Sequence, residues 1–510
     1  MSERPPAFVA GAVGCLLRHA LALYGQASYG EVLRCLLEGV RWLQRGGTSL
    51  AFATKSSITK ARRRLGVVPL AELYRRVARP LARPGLPGCF FRGRRLVSLD
   101  GTTIDLPDAP DLVTRFGRPA ASRGESAFPQ LRLLALTETG THAVFAAAFD
   151  HIDIGETTLA RRLLDHLRPG MLCLADRAFV GFELWTAARA TGADLLWRLR
   201  VNQVLPCDEV LPDGSHLSQV YPSPKHRRRG AGGVTVRVID YRLDGVPGAE
   251  PLYRLATTLL DAAEAPAAEV AALYHERWEA ETIFAEIKVT LPGERLMLRS
   301  RRADLAEQEV FGLLLAHFAL RCLMVQASAA VGGDPDELSF LQTVRVVRRH
   351  LPLHAAFPPR RRQSMLAVVL IEIRSVPAER SRGRHNRRVV KRKMSGFPTR
   401  SRAAPACGGR FCYDEHIKVL PPAVPEAVDR VPEAPEPPLA TAASSAPDFP
   451  VAESPPIPDC QHHVRAWRVS ELSRADYCRQ RGLNLRTFNQ WVGRQRHQFR
   501  RKVRNDQLQP

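Results

Sequence analysis

Between Tyr274 and Lys288 the chain reads YHERWEAETIFAEIK and carries four glutamates, Glu276, Glu279, Glu281 and Glu286. Two aspartates elsewhere are set differently. Asp100 closes the apolar run LVSLD and precedes Gly101 and Thr102; Asp176 closes LCLAD and precedes Arg177. A carboxylate where a buried strand emerges is poorly solvated and rigidly held. Taken singly, each aspartate also suits a turn or a cap. Taken together with one core-edge glutamate, they supply the hard oxygens that two-metal phosphoryl transfer requires. Two divalent ions about 3.5–4 Å apart can activate the attacking oxygen and neutralise the leaving one.

The glutamates separate on helical geometry. With Tyr274 as origin, Arg277, Glu281 and Lys288 fall at about 300°, 340° and 320°, one narrow stripe. Glu276, Glu279 and Glu286 fall at about 200°, 140° and 120°, which predicts that they face water. Leu273, Phe284 and Ile287 border the stripe, so Glu281 is expected at the edge of the buried face. An Arg277–Glu281 salt bridge at i,i+4 is the plain alternative.

These residues need elements to hold them. Residues 1–90 read as a helical DNA-binding domain. YGEVLRCLLEGVRWL has helical spacing, and SSITKARRRLG offers Ser56 or Ser57 as N-cap, Gly66 as stop and a basic face of Lys60, Arg62, Arg63 and Arg64. A short basic helix following another helix suits a helix-turn-helix reader of DNA. From residue 91 to 380 strands alternate with helices, which implies an α/β layer around a central sheet. Within it, 201–262 reads as a β-rich insertion, and 266–290 as one long helix. Helices are expected at about 303–328, 335–350 and 362–376. Residues 381–458 read as a basic tail and a Pro-rich disordered linker. Residues 459–510 recover helical pattern, with Trp467, Tyr477, Phe488 and Trp491 as a small core.

The chain has 510 residues, and 74 Lys+Arg against 51 Asp+Glu leave a net charge of +23, which calls for an acidic partner, nucleic acid before membrane. The ten cysteines lack zinc spacing and read as reduced thiols of a cytosol. AFVAGAVGCLL faintly resembles a signal h-region, but Glu3 and the continuation into RHALALYG favour a helix. No segment reads as a membrane span of about 20 apolar residues.

The spacing Tyr274, Arg277, Glu281, Lys288, joined to DGTTIDLPD at the first acid and ADRAF at the second, resembles bacterial DDE transposases of the insertion-sequence-four family. SYGEVLRCLLEG, GADLLWRLR, LPDGSHLS and VVKRKMSGFP extend the resemblance over about residues 25–400. It implies a ribonuclease-H-like catalytic core with a β-rich insertion before the third acid. It also implies Mg2+-dependent cleavage at the ends of a mobile element, followed by attack of the freed 3′-hydroxyl on target DNA. Asp100, Asp176 and Glu281 would hold two Mg2+ ions, with Mn2+ able to substitute. Arg277, Lys288 and Tyr274 would contact the cut end, and Trp197 would stack on a flipped base. Partners would be duplex DNA, as terminal inverted repeats and target, with a dimer on DNA, no membrane, and a bacterial, cytoplasmic, nucleoid-associated location.

The opening, MSERPPAFVAGAVGCLLRHALAL, is shorter than and unlike the family's usual one, as though part of the end-recognition domain were missing or frameshifted. Ala178 and Phe179 stand where Gly and Tyr are frequent. SELSRADYCRQRGLNLRTFNQW resembles a small helix-turn-helix accessory protein of another insertion-sequence group, so a fusion or a degenerate copy is conceivable. The rival readings are a catalytically inactive DNA-binding remnant and a plain nuclease.

Overall fold

The computed structural model describes residues 54–354 apart from 122–123, 204, 247–248, 276 and 278, together with 359–376, 414–422 and short stretches within 23–35 and 463–488. The expectations for the opening segment, the basic run 380–402, the Pro-rich stretch 423–458 and Trp491 lie outside the described residues. The chain divides into two units, residues 1–428 and 429–510.

In the first unit, helix α1 (Lys55–Leu65) is capped by Thr54, whose hydroxyl accepts from the Ser57 amide. Ser56 and Ser57, expected as caps, lie inside the helix because the chain turns helical two to three residues earlier, at Lys55. Gly66 ends α1 at φ +69°, and helix α2 (Val68–Val77) follows. Ile58 and Arg62, one turn apart, form the buried face of α1. The Arg62 guanidinium donates to the Leu305 carbonyl at 2.9 Å and to Ser300 Oγ at 3.3 Å, and pairs with Glu309 at 3.5 Å. It is therefore removed from the expected basic DNA face: every fourth residue of this helix turns inward. Lys60, Arg63 and Arg64 remain exposed.

The sheet begins with β1 (Phe90–Phe91) and the 12-residue β2 (Arg94–Asp105). After helix α3 (Pro110–Phe116) and a two-stranded aside, β3 (Ala120–Ala121) and β4 (Gly124–Glu125), come β5 (Gln130–Glu138) and β6 (Ala143–His151). Helix α4 (Glu156–Arg161), β7 (Met171–Ala175), helix α5 (Phe182–Ala190) and β8 (Asp194–Arg198) complete the core. Strand order is β6-β5-β2-β7-β8, with β6, β5 and β2 antiparallel and β2, β7 and β8 parallel. This is the ribonuclease-H-like arrangement that the resemblance implies. Side chains of alternate residues serve opposite cores: Leu131, Leu133 and Ala135 face one cluster, Leu134 and Leu136 the other. Burial on both faces is why these strands read as continuous apolar runs.

The insertion is not a separate layer. Its strands β9 (Glu209–Val210), β10 (His216–Val220), β11 (Val234–Leu243) and β12 (Tyr253–Thr257) extend the same sheet, β12 pairing antiparallel with β8. A short basic helix, α6 (Pro224–Arg228), sits in the β10–β11 connection. Arg237, fully buried on β11, pairs with Asp213 and donates to the Ala265 carbonyl at 2.6 Å. β13 (Ile417–Leu420) pairs with the C-terminal half of β11, inside the stretch expected to be tail and linker. Four residues, IKVL, are too few to leave a periodic signal.

The expected long helix over 266–290 comes as α7 (Ala267–His275), α8 (Glu279–Ala285) and a π-helical turn, Glu286–Thr290. Helices α9 (Ala303–Ala329), α10 (Phe340–His354) and α11 (Pro359–Arg374) come next. By length and composition α9 could cross a membrane, contrary to the expectation of no such segment, but 67% of its most apolar window is buried. It also carries the buried polar residues Gln308, His317 and Arg321. It is the core helix on which α2, β6 and α11 pack.

In the second unit, helix α12 (Arg474–Gln480) carries the buried Tyr477, whose ring stacks on buried Phe488 at 5.5 Å. Trp467 meets Phe488 edge-on at 5.9 Å, so three of the four expected core aromatics come together.

Replacing Arg62 with alanine is expected to lower unfolding free energy by about 1–3 kcal/mol, because buried acceptors on α9 lose their donor. Replacing Lys60 should change it by less than about 0.5 kcal/mol. Urea denaturation of both variants checks the assignment.

Candidate active site

Leu99 and Ala175 are register partners on the neighbouring parallel strands β2 and β7, so Asp100 and Asp176, one residue further along each, stand side by side. β7 ends there, but β2 does not end at Asp100 as LVSLD suggested, because β5 continues to pair with it as far as Asp105. Gly101 comes after Asp100 without room for a side chain, since a Cβ there would stand 2.9 Å from Glu156 Oε1. The helical segment 267–290 lies across this edge and reaches down to it in three places. The Tyr274 hydroxyl donates to the Ala175 carbonyl at 3.4 Å. Arg277 Nη1 meets Asp100 Oδ2 at 3.0 Å. Lys288 Nζ donates to Thr102 Oγ1 at 3.0 Å. Three of the four residues placed on one stripe by their spacing thus converge on the middle of β2 and the end of β7.

Glu281, the fourth, lies between Arg277 and Lys288 along the segment and is exposed. Arg277 turns to Asp100, so the i,i+4 bridge to Glu281 is not what holds it. Among the described residues no three His, Cys, Asp or Glu side chains gather closely enough to hold one metal ion. The two aspartates offer hard oxygens of the kind a divalent cation takes; the exposed Glu281 does not join them in such a group. A cleft of about 540 Å³ opens beside Asp176, lined also by Arg177, Arg200 and Asn202.

Two expectations are corrected. Glu286 does not face water. It is buried, its carboxylate paired with Arg321 and bonded to His317 Nε2 at 2.9 Å, with His142 Nδ1 at 3.7 Å. Uniform 100° steps misplace it, because the segment breaks after α7 and winds as a π-turn at 286–290. Moreover, α9 covers the side opposite the sheet, so there is no wet back face there. The side chains of Glu276 and Glu279 lie outside the described residues. Trp197 is not available to a flipped base: it is 1% exposed on β8, edge-on to Trp185 at 5.1 Å. A central strand covered on both faces leaves its ring no open side.

Burial raises the pKa of Asp100 from 3.8 to about 6; Asp176 and Glu156 add to the rise, and Arg277 opposes it. Burial lifts the Tyr274 phenol to about 12, so it stays protonated and donates. Burial also lowers His275 to about 4, leaving it neutral behind the site. Burial would raise Glu286 too, but Arg321 and the two histidines outweigh it and hold the carboxyl well below its ordinary value. Sequence reasoning missed Glu156, Thr102, Arg321, His317 and His142. Only the small residues of DGTT hinted at the close approach of Glu156.

This fold, with its two aspartates side by side on neighbouring parallel strands and the cationic helix across them, defines the class of DDE transposases. A model described as the transposase DDE domain matches residues 91–319, and one described as the insertion element 4 transposase N-terminal matches residues 11–75. Transposase InsG for insertion sequence element IS4 of Escherichia coli (strain K12) is 29% identical over 356 residues, covering 68% of this chain and 79% of that protein. Putative transposase InsZ of the same strain is 27% identical over 155 residues, 30% of this chain and 52% of that protein. The chain is a DNA transposase, similar to those of the insertion-sequence-four family. The cryo-EM structure of the piggyBac transposase synaptic complex with hairpin DNA overlays with a TM-score of 0.37 and 11% identity, over 72% of this chain and 77% of that one. That similarity is too slight to bear on the site.

Two measurements check this electrostatic layout. Glu286→Gln should cost about 3–5 kcal/mol, because Arg321 would be left buried without its counter-charge, whereas Glu281→Gln should be near neutral in denaturation. Folded Asp100 keeps its proton to about pH 6 and an unfolded aspartate only to about pH 4. Folding therefore binds a proton in that window, and stability falls as pH rises through it. In metal-free protein, the stability of the wild type relative to Asp100→Asn should drop by about 2 kcal/mol between about pH 4 and pH 7.

Proposed function

We propose that the chain binds the terminal inverted repeats of an insertion sequence, cuts them by metal-dependent phosphodiester hydrolysis, and joins the freed 3′-hydroxyl ends to target DNA. The observation that carries this is the side-by-side placement of Asp100 and Asp176 beneath Arg277 and Lys288. Asp100, Asp176 and Glu281 would hold two Mg2+ ions, or Mn2+ in their place. When bound, the metal supplies Lewis-acid activation and charge neutralisation at the reacting phosphate.

The chain's own residues support binding and orientation. Arg277 Nε is buried with no hydrogen-bond partner among the described residues, a donor suited to a phosphate oxygen. Lys288 brings a second cation to the same edge. Tyr274, bonded to the Ala175 carbonyl, fixes where the helix crosses β7. The exposed Lys60, Arg63 and Arg64 on α1 suit DNA phosphates at the recognition end. The protein would act as a dimer on DNA, in the bacterial cytoplasm at the nucleoid. The second reading, an inactive DNA-binding remnant, is favoured by one observation, that Glu281 stands apart from the two aspartates.

Nicking of a plasmid that carries matched element ends separates the readings. Wild type should nick only with Mg2+ or Mn2+, and joined products should be recoverable, which a plain nuclease would not give. Glu281→Ala should abolish nicking and leave end binding intact, whereas Glu279→Ala should be near neutral. End binding without nicking by the wild type in either metal would establish the remnant; equal loss in both variants would refute Glu281 as the third acid.

A further inference from the structure

The connection between β10 and β11 carries a charge for which the catalytic edge has no use. The last register pair is Val220 and Val234, so residues 221–233 project beyond the sheet. They contain the sequence PKHRRRG, and no Asp or Glu occurs from residue 214 to 239. The cations are set on a formed turn and not on a loose strand. Ser223 caps α6 by accepting from the His226 amide, Pro224 opens it, and Gly230 closes it at φ +60°.

Elsewhere on this unit, exposed arginines meet carboxylates: Arg92 with Glu269, Arg161 with Glu183, Arg162 with Asp150, Arg302 with Asp304. Lys225, Arg228 and Arg229 are exposed, and among the described residues no acid pairs with them. Like charges crowded on one turn repel, and an external polyanion relieves that repulsion.

The sheet register sets the distance from the cut. Leu99, Ala175, Trp197, Ala256 and Val238 lie in one row across β2, β7, β8, β12 and β11. β11 runs parallel to β2, so Val234, four residues before Val238, and Asp100, one residue after Leu99, lie on opposite sides of that row, about 16 Å apart along the strands, and β11 is four strands from β2, about 19 Å. The turn therefore begins about 25 Å from Asp100, about seven base pairs along a duplex at roughly 3.4 Å per step.

We propose that the 221–233 turn is a phosphate clamp on duplex DNA, gripping the backbone about half to one helical turn from the scissile bond through Lys225, Arg228 and Arg229. The proposal rests on the function proposed above and adds a contact site outside its catalytic edge.

The test uses the full chain and a duplex bearing an element end. The slope of log binding constant against log salt changes by about 0.9 per phosphate contact. The triple variant Lys225→Ala, Arg228→Ala, Arg229→Ala should thus bind with a slope shallower by about 2–3, and at least tenfold more weakly at moderate salt. Ethylation interference should disappear at phosphates about six to nine base pairs from the cut. The charge-keeping variant Lys225→Arg, Arg228→Lys, Arg229→Lys should retain the wild-type slope, which separates charge from folding. An unchanged slope in the alanine variant, with wild-type nicking intact, overturns the clamp and leaves the proposed function standing. Failure of the wild type to bind the duplex at all overturns both. Retained DNA binding with loss of binding to phosphatidylserine vesicles would assign the turn to a membrane surface and also overturns the clamp.

Discussion

The carboxylate of Glu286, buried beneath the sheet edge, fixes where the rest of the site can be. It ties the π-turn at 286–290 to Arg321 and His317 on α9, and α9 is the helix on which the N-terminal helices α1 and α2 also rest. One ion pair thus couples the segment that crosses the aspartates to the element that carries the N-terminal helices. A buried charge pair need not add net stability over apolar packing, but losing one partner is costly. Its use here is register: a π-turn shifts the residues within and beyond it relative to a regular helix, and Lys288 falls within that turn, within reach of Thr102.

Much of the fold was legible because it is written in long periodic segments. The strands that carry Asp100 and lead into Asp176, the helices α5 and α9, and the shift from helical to alternating pattern near residue 91 can all be read from spacing, though not that β2 runs on past Asp100 to Asp105. What escaped was set by tertiary surroundings. IKVL at 417–420 is a strand only because β11 offers it an edge. The insertion joins the main sheet through pairing of Leu255 with Arg198, which no local pattern announces. Arg62 belongs to a basic run by composition and to a core by position, since α9 presents carbonyl and carboxylate oxygens to it.

The site was legible to a similar depth. Tyr274, Arg277 and Lys288 share a stripe under regular geometry and do meet the sheet on one side. The same arithmetic failed for Glu286, as it assumes one continuous helix and one buried face. Trp197 failed for another reason: a motif likeness assigned it to DNA, while its strand is central and covered on both faces. Residues from other segments, such as Glu156 and Arg321, leave no local trace of their proximity.

The two aspartates explain why cations dominate this edge. Neighbouring strands in parallel register bring Asp100 and Asp176 together whether or not their charges agree, and burial makes the repulsion expensive. Arg277 is the local answer, and an incomplete one, for the Asp100 carboxyl still lies well above its ordinary range. A guanidinium shares its charge over a plane, contacts one carboxylate here, and keeps Nε unspent. Such a site has affinity left for further positive charge between the aspartates and for negative charge beside the arginine. In the function proposed above, a metal-bound phosphodiester would meet both demands at once.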